Sequence, residues 1–142
     1  MSEQNKMLVR RAIEEVWNGG NLAAIEEFVA ADVVVHGSTP GGDIHGPEGV
    51  RRFFAALRDA FPDIRFTIED QIAEGDRVVT RWTARATHTG TFQGVPPTGR
   101  PIRMTATDVE RIVDGKVVEC WSQTDDLGLM QQLGVVSPAL PT

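Results

Sequence analysis

Arg77-Val78-Val79-Thr80-Arg81-Trp82-Thr83-Ala84-Arg85-Ala86-Thr87-His88-Thr89 is the stretch on which the fold turns. Val78, Thr80, Trp82, Ala84, Ala86 and His88 share one face, and Arg77, Arg81, Thr83 and Arg85 share the other. A period of two with one apolar side is a strand with one face buried. The same period runs on both sides of it. Arg65 to Ile72 puts Phe66, Ile68 and Ile72 together. Ile102 to Ile112 sets Ile102, Met104, Ala106, Asp108, Glu110 and Ile112 against Arg103, Thr105, Thr107, Val109 and Arg111. From Val117 to Gln123, Val118, Cys120 and Ser122 alternate with Glu119, Trp121 and Gln123. Glu74-Gly75-Asp76 and Asp114-Gly115 read as hairpin turns, the second a strong two-residue signal, and 90–100 reads as a Gly/Pro loop.

Upstream the period is helical. Val9, Ile13, Val16 and Trp17 form one stripe of a helix over 3–17, stopped by Asn18-Gly19-Gly20-Asn21. Asn21 then caps a helix carrying Leu22, Ile25, Phe28 and Val29. Val33 to His36 reads as a short strand and 37–46 as a loop. Pro47 opens a helix with Val50, Phe53, Phe54 and Leu57 inside, ended by Pro62. Asp125 or Asp126 caps a last helix reaching Leu133-Gly134, and the tail 135–142 is expected to be loosely ordered. Helices segregated from an antiparallel sheet mean an α+β fold, and long twisted strands curl into a cone with an interior pocket.

The chain has 142 residues, one domain's worth, with 41% hydrophobic and 24% charged residues. Its net charge of −6 argues against nucleic acid and anionic membranes as partners. One cysteine, Cys120, leaves no internal disulfide and suits the cytoplasm, and neither a signal peptide nor a membrane-spanning run is visible. Tyrosine is absent, which excludes any mechanism needing a phenol.

Asp108 is the first candidate for chemistry. A carboxylate on the apolar face of a cone loses hydration, its pKa rises, and it becomes a base suited to abstracting a proton beside a carbonyl. The bland alternative is an ion-paired structural residue. His36, before the glycine-rich loop, and His88, on the Trp82 face, are candidates to orient substrate or return the proton. His45 is a weaker one. Trp82, Met104, Cys120, Trp121 and Ser122 are expected to line the ligand. The three histidines lack metal-ligand spacing, and no phosphate-binding glycine loop follows a strand, so neither a metal nor a nucleotide cofactor is expected.

These segments also resemble a known family. Val9-Arg10-Arg11, Val16-Trp17-Asn18-Gly19-Gly20-Asn21, Asp32 through His36, and Gly46-Pro47-Glu48-Gly49-Val50 are similar to SnoaL-like polyketide cyclases of the NTF2-like, cystatin-like cone superfamily. So are Phe61-Pro62-Asp63, Thr87-His88-Thr89-Gly90, Gly94-Val95-Pro96-Pro97-Thr98-Gly99, Arg111 through Lys116, Glu119-x-Trp121 and Gln132-Leu133-Gly134. The resemblance implies a small cofactor-free enzyme, a homodimer or tetramer, that closes rings by intramolecular aldol condensation. It also places an acid–base carboxylate where this chain has Ser122, and its supporting histidine where this chain has Asp108. Neither role carries over directly, but Asp108 sets a carboxylate on the adjacent strand. The leading expectation is therefore acid–base chemistry, cyclisation or isomerisation, on a hydrophobic carbonyl-bearing small molecule. A binding or dimerisation module without turnover is the alternative from a different class. Epoxide hydrolysis is the second alternative; its pattern needs an arginine where Ala106 stands.

Overall fold

The computed structural model describes residues 2–39 and 42–135. Helix α1 (Ser2–Ala12) runs into a wider π-type turn, Ile13–Asn18, and a 3-10 turn at Leu22–Ala24 leads to the one-turn helix α2 (Ile25–Phe28). Strands β1 (Val29–Thr39) and β2 (Gly42–His45) precede α3 (Gly46–Ala60). Then come β3 (Arg65–Glu74), β4 (Arg77–Thr87), β5 (Pro101–Val113), β6 (Lys116–Thr124) and α4 (Asp126–Leu133). The six strands form one sheet in the order β2-β1-β6-β5-β4-β3, antiparallel except where β1 runs parallel to β6.

The helices lie against the inner face. Val9, Ile13 and Val16 from the first helix, and Val50, Phe54, Leu57 and Ala60 from α3, are buried. Full burial of one such large side chain contributes about 1.5–3 kcal/mol. Trp17 meets Phe54, Phe66 and Trp82 with ring centroids 5.3, 5.0 and 5.7 Å away, tying both helices to β3 and β4. Asp114 and Gly115 both take the left-handed conformation (φ 51° and 75°), the backbone of the tight turn joining β5 to β6. Asp125 caps α4 by accepting the Gly128 N–H at 2.9 Å, and Gly134 closes that helix at φ 81°.

Several sequence expectations are corrected. The loop expected over 37–46 contains β2, whose residues pair with β1 at Val34↔His45 and Val35↔Ile44. Val29 opens β1 rather than ending a helix, and Asn21 makes no side-chain cap. A bulge between Ile68 and Asp70 reverses the alternation of β3, so Ile72 points outward and is 63% exposed. A register shift beside Ile112 likewise puts Val117, not Val118, on the buried side of β6. Residues 136–142 of the expected loose tail lie outside the described residues. No helix among the described residues is long and apolar enough to cross a membrane.

The loop after β4 is fixed to the end of α3: the N–H groups of Thr89 and Gly90 both donate to the Ala60 carbonyl, at 3.1 and 3.0 Å. A Cβ on Gly90 would stand 2.0 Å from the Asp59 carbonyl oxygen, a backbone atom that cannot swing aside. Gly90→Ala is expected to cost about 3 kcal/mol, at the upper end of ordinary overpacking, read as a lowered midpoint in thermal or urea unfolding. An unchanged midpoint would show that loop and helix do not meet this closely.

Candidate functional site

The strand parity decides what enters the cone. Trp82 on β4, Met104 and Asp108 on β5, and Cys120 and Ser122 on β6 all line an apolar cavity of about 140 Å³. An empty space of this size holds roughly one benzene-sized ring. Trp17 and Phe54 wall it from the helix side and Phe66 from β3, and Phe92 and Gln93 reach it from the loop after β4.

Its polar end is made by two rungs of the β5–β6 ladder, Asp108 opposite Ser122 and Glu110 opposite Cys120. Asp108 is only 3% exposed. Ser122 Oγ donates to its Oδ1 at 2.7 Å, and Trp82 Nε1–H donates to its Oδ2 at 2.9 Å. The indole can only donate, so this arrangement suits the carboxylate anion. Burial nevertheless pushes the Asp108 carboxyl above its ordinary value, while the Ser122 and Trp82 hydrogen bonds pull the other way. No cation among the described residues pairs with it.

Glu110 is the residue that sequence reasoning passed over. It is buried on the same side, and its Oε1 has no hydrogen-bond partner among the described residues. Burial, reinforced by the charge on Asp108, raises its carboxyl to about 8, so Glu110 is a carboxylic acid at neutral pH. The signal was present in the sequence: Glu110 has the parity of Asp108, two residues on. Beside it Cys120 is held as a neutral thiol, pushed up by burial and then by the two acids. A donor-bound carboxylate and a neutral carboxylic acid at one end of an apolar cavity can take a proton and give one.

Three expected site residues are not brought there. His36 lies on the outer face of the sheet, its Nδ1 2.9 Å from Asp43 and its Nε2 2.7 Å from Glu119. These two hydrogen bonds raise its pKa. Its neighbours Val33 and Val35 have the inward parity and line the cavity instead. Trp121 is outside for the same reason: on β6 it alternates with Cys120 and Ser122, and it stacks on His36 at 5.6 Å. His88 is fully buried but does not line the cavity. The sheet part of β4 ends at Thr87, the His88 ring packs against Phe61, and Nδ1 accepts the Thr98 N–H at 3.2 Å. His45, on β2, is also absent from the lining.

Comparison with known proteins agrees with this architecture. The family described as SnoaL-like polyketide cyclase matches residues 7–133. Aklanonic acid methyl ester cyclase DnrD of Streptomyces peucetius is 33% identical over 133 residues, covering 89% of this chain and 88% of that protein. Nogalonic acid methyl ester cyclase of Streptomyces nogalater is 27% identical over 119 residues, covering 83% of this chain and 89% of that one. Among solved structures, AclR of Streptomyces galilaeus, proposed to be a hydroxylase, superposes with a TM-score of 0.85 at 31% identity, covering 100% of this chain and 87% of AclR. Wild-type IdmH of Streptomyces antibioticus, proposed to be a polyketide cyclase, gives 0.79 at 36%, covering 93% and 99%. With the family matched over residues 7–133 and the fold of helices and curved sheet matched over nearly the whole chain, this protein is an NTF2-like α+β cone that belongs to the SnoaL-like polyketide cyclase family.

Proposed function

We propose that this chain catalyses an intramolecular aldol-type ring closure of an apolar, carbonyl-bearing substrate, without an external electron carrier. The observation that carries the reading is the buried Asp108 carboxylate, positioned by Trp82 and Ser122 at the polar end of the cavity. Asp108 removes an acidic C–H proton between carbonyls. The enolate carbon attacks a second carbonyl carbon of the same molecule, a C–C bond forms, and the new alkoxide takes the proton of the Glu110 carboxyl. Passage of a proton from Asp108 to Glu110 restores both groups, so the balance is neutral in protons and electrons.

The departure from the family pattern fits this reading. The position where the resemblance places the acid–base carboxylate is Ser122, and it stands directly opposite Asp108. Moving the carboxylate to the other strand displaces it by about one strand spacing, ~4.8 Å, within the same cavity end. The small cavity sets a second condition: a polycyclic substrate keeps only its reacting portion inside unless Phe53 and Phe92, both part-buried, swing outward.

Aklanonic acid methyl ester, the substrate class named by two relatives, and a small β-keto ester are the first compounds to test. Exchange of the acidic C–H in deuterium oxide reports proton abstraction, and mass spectrometry reports closure. Asp108→Asn is expected to lower exchange and closure by about 10²–10⁴-fold without lowering the melting temperature. Wild-type exchange in that variant would overturn the assignment. Binding without exchange in the wild type would select the ligand-binding alternative, and a product heavier by one oxygen would select hydroxylation, the activity proposed for AclR.

Glu110 gives a separate prediction. Its carboxyl titrates near 4.5 when unfolded and near 8 in the fold. Between those values the folded protein holds a proton that the unfolded chain has released. This contribution is therefore complete below the unfolded value and is lost as pH rises through the folded one. Burial of Asp108 acts in the same direction. Glu110→Gln is expected to match the wild type in thermal stability near pH ~5 and exceed it near pH ~8.5, by an amount on the order of a few kcal/mol. Parallel pH profiles would show that Glu110 is not a protonated group in the fold.

A further inference from the structure

The outer face of the sheet carries an arrangement that ring closure does not use. Arg65 on β3 pairs in register with Arg85 on β4, which pairs in register with Arg103 on β5. Each has outward parity and is exposed. Three guanidinium side chains therefore stand side by side on one rung, over about 10 Å at two strand spacings. Like charges directly opposite on neighbouring strands destabilise a sheet, so the arrangement carries a cost in the free protein.

Two other outer-face arginines make compensating contacts, and a third, Arg81, stands in register with Asp70 on β3. Arg111 bonds Glu119 at 3.3 Å, and Arg77 lies 5.3 Å over the Trp121 ring. Arg65, Arg85 and Arg103 make no side-chain hydrogen bond, ion pair or ring contact among the described residues, in a protein whose net charge is −6. They line an open groove of about 650 Å³ with Asp63 and Thr87 at one side, Gln132 at the other and Thr67 beside them. Asp63, the one carboxylate lining it, has both oxygens engaged by Thr87, at 2.7 and 2.8 Å. The floor is held firmly: the Gln132 side chain accepts from the Arg103 N–H and donates to the Arg103 carbonyl, both at 2.7 Å.

We propose that the Arg65–Arg85–Arg103 rung is a binding site for a phosphate-class polyanion, with a diphosphate group bridging the three guanidiniums. Guanidinium forks match tetrahedral and planar oxyanions through paired N–H donors, and adjacent forks engage a second anionic centre better than a single one. The site is separate from the cavity, because Arg85 and Arg103 point away from the inward residues Ala84, Met104 and Asp108. It stands whether or not the chain closes rings.

The test uses inorganic pyrophosphate as the probe, by calorimetry and phosphorus NMR at low salt, with orthophosphate as the single-centre comparison. Pyrophosphate is expected to bind at least about ten-fold tighter than orthophosphate, and Arg85→Gln to weaken it at least ten-fold, while Arg10→Gln on α1 leaves it unchanged. Without anion, Arg85→Gln is expected to raise the melting temperature by about 2 °C, since it relieves like-charge crowding, and to abolish the rise that pyrophosphate gives the wild type. Absence of binding by the wild type overturns the proposal. So does equal weakening by Arg85→Gln and Arg10→Gln, which would make the effect one of net charge.

Discussion

The hydrogen bonds that Trp82 and Ser122 give to Asp108 hold the inner architecture together. They span three strands: Trp82 comes from β4, Asp108 from β5 and Ser122 from β6. A carboxylate this deeply buried is tolerable only with its lone pairs engaged, because an unpaired buried charge is among the most costly features a fold can carry. The bond also fixes the orientation of the Trp82 indole. That ring then meets Trp17 and Phe66 edge-on at 5.7 and 5.1 Å, so the polar contact at the cavity floor sets where the first helix and β3 sit. Polar anchoring and apolar packing are one construction here.

Two side-chain amides complete what the backbone leaves unfinished. β3 is an edge of the sheet, and Asn18 occupies part of it: its Oδ1 accepts the Phe66 N–H at 2.7 Å and its Nδ2 donates to the Phe66 carbonyl at 3.0 Å. At the other end, β5 extends past the last β6 partner, the Ala106–Thr124 pair, and Gln132 supplies the equivalent two bonds to Arg103. Each amide imitates a strand residue, satisfying one donor and one acceptor together. They also close the cone, one tying the π-type turn to β3 and the other tying α4 to β5.

The sequence made the four long strands, the helical stripes and the Asp114-Gly115 turn legible, because each rests on local periodicity or backbone preference. It was less informative about β2, whose pairing depends on backbone hydrogen bonds inside a glycine-rich segment, and about the parallel pairing of β1 with β6, which joins residues more than eighty positions apart. Alternation alone groups Ile72 with Phe66 and Ile68, and Val118 with Cys120 and Ser122; bulges break both groupings without a residue type that announces them. At the site, parity alone placed Asp108, Met104, Cys120 and Ser122 in the cone. The same rule, applied strictly, removes Trp121, whose neighbours Cys120 and Ser122 face inward, and adds Glu110. His88 has inward parity but lies one residue beyond the end of β4, outside the cavity lining.

The distribution of charge follows from the same alternation and explains why the buried acids keep their character. Arg65, Arg77, Arg81, Arg85, Arg103 and Arg111 all take outward positions on β3, β4 and β5, while Asp108 and Glu110 take inward ones. A guanidinium beside either acid would lower its pKa and turn a base or a neutral acid into a spectator carboxylate. Held on the opposite face, the arginines leave desolvation as the leading influence inside, and both carboxyls rise. The cost appears outside, where cations crowd one another and a rung of three has no counterion among the described residues. Buried acids within the cone and crowded positive charge on its back are thus two consequences of one sheet sorting its side chains by parity.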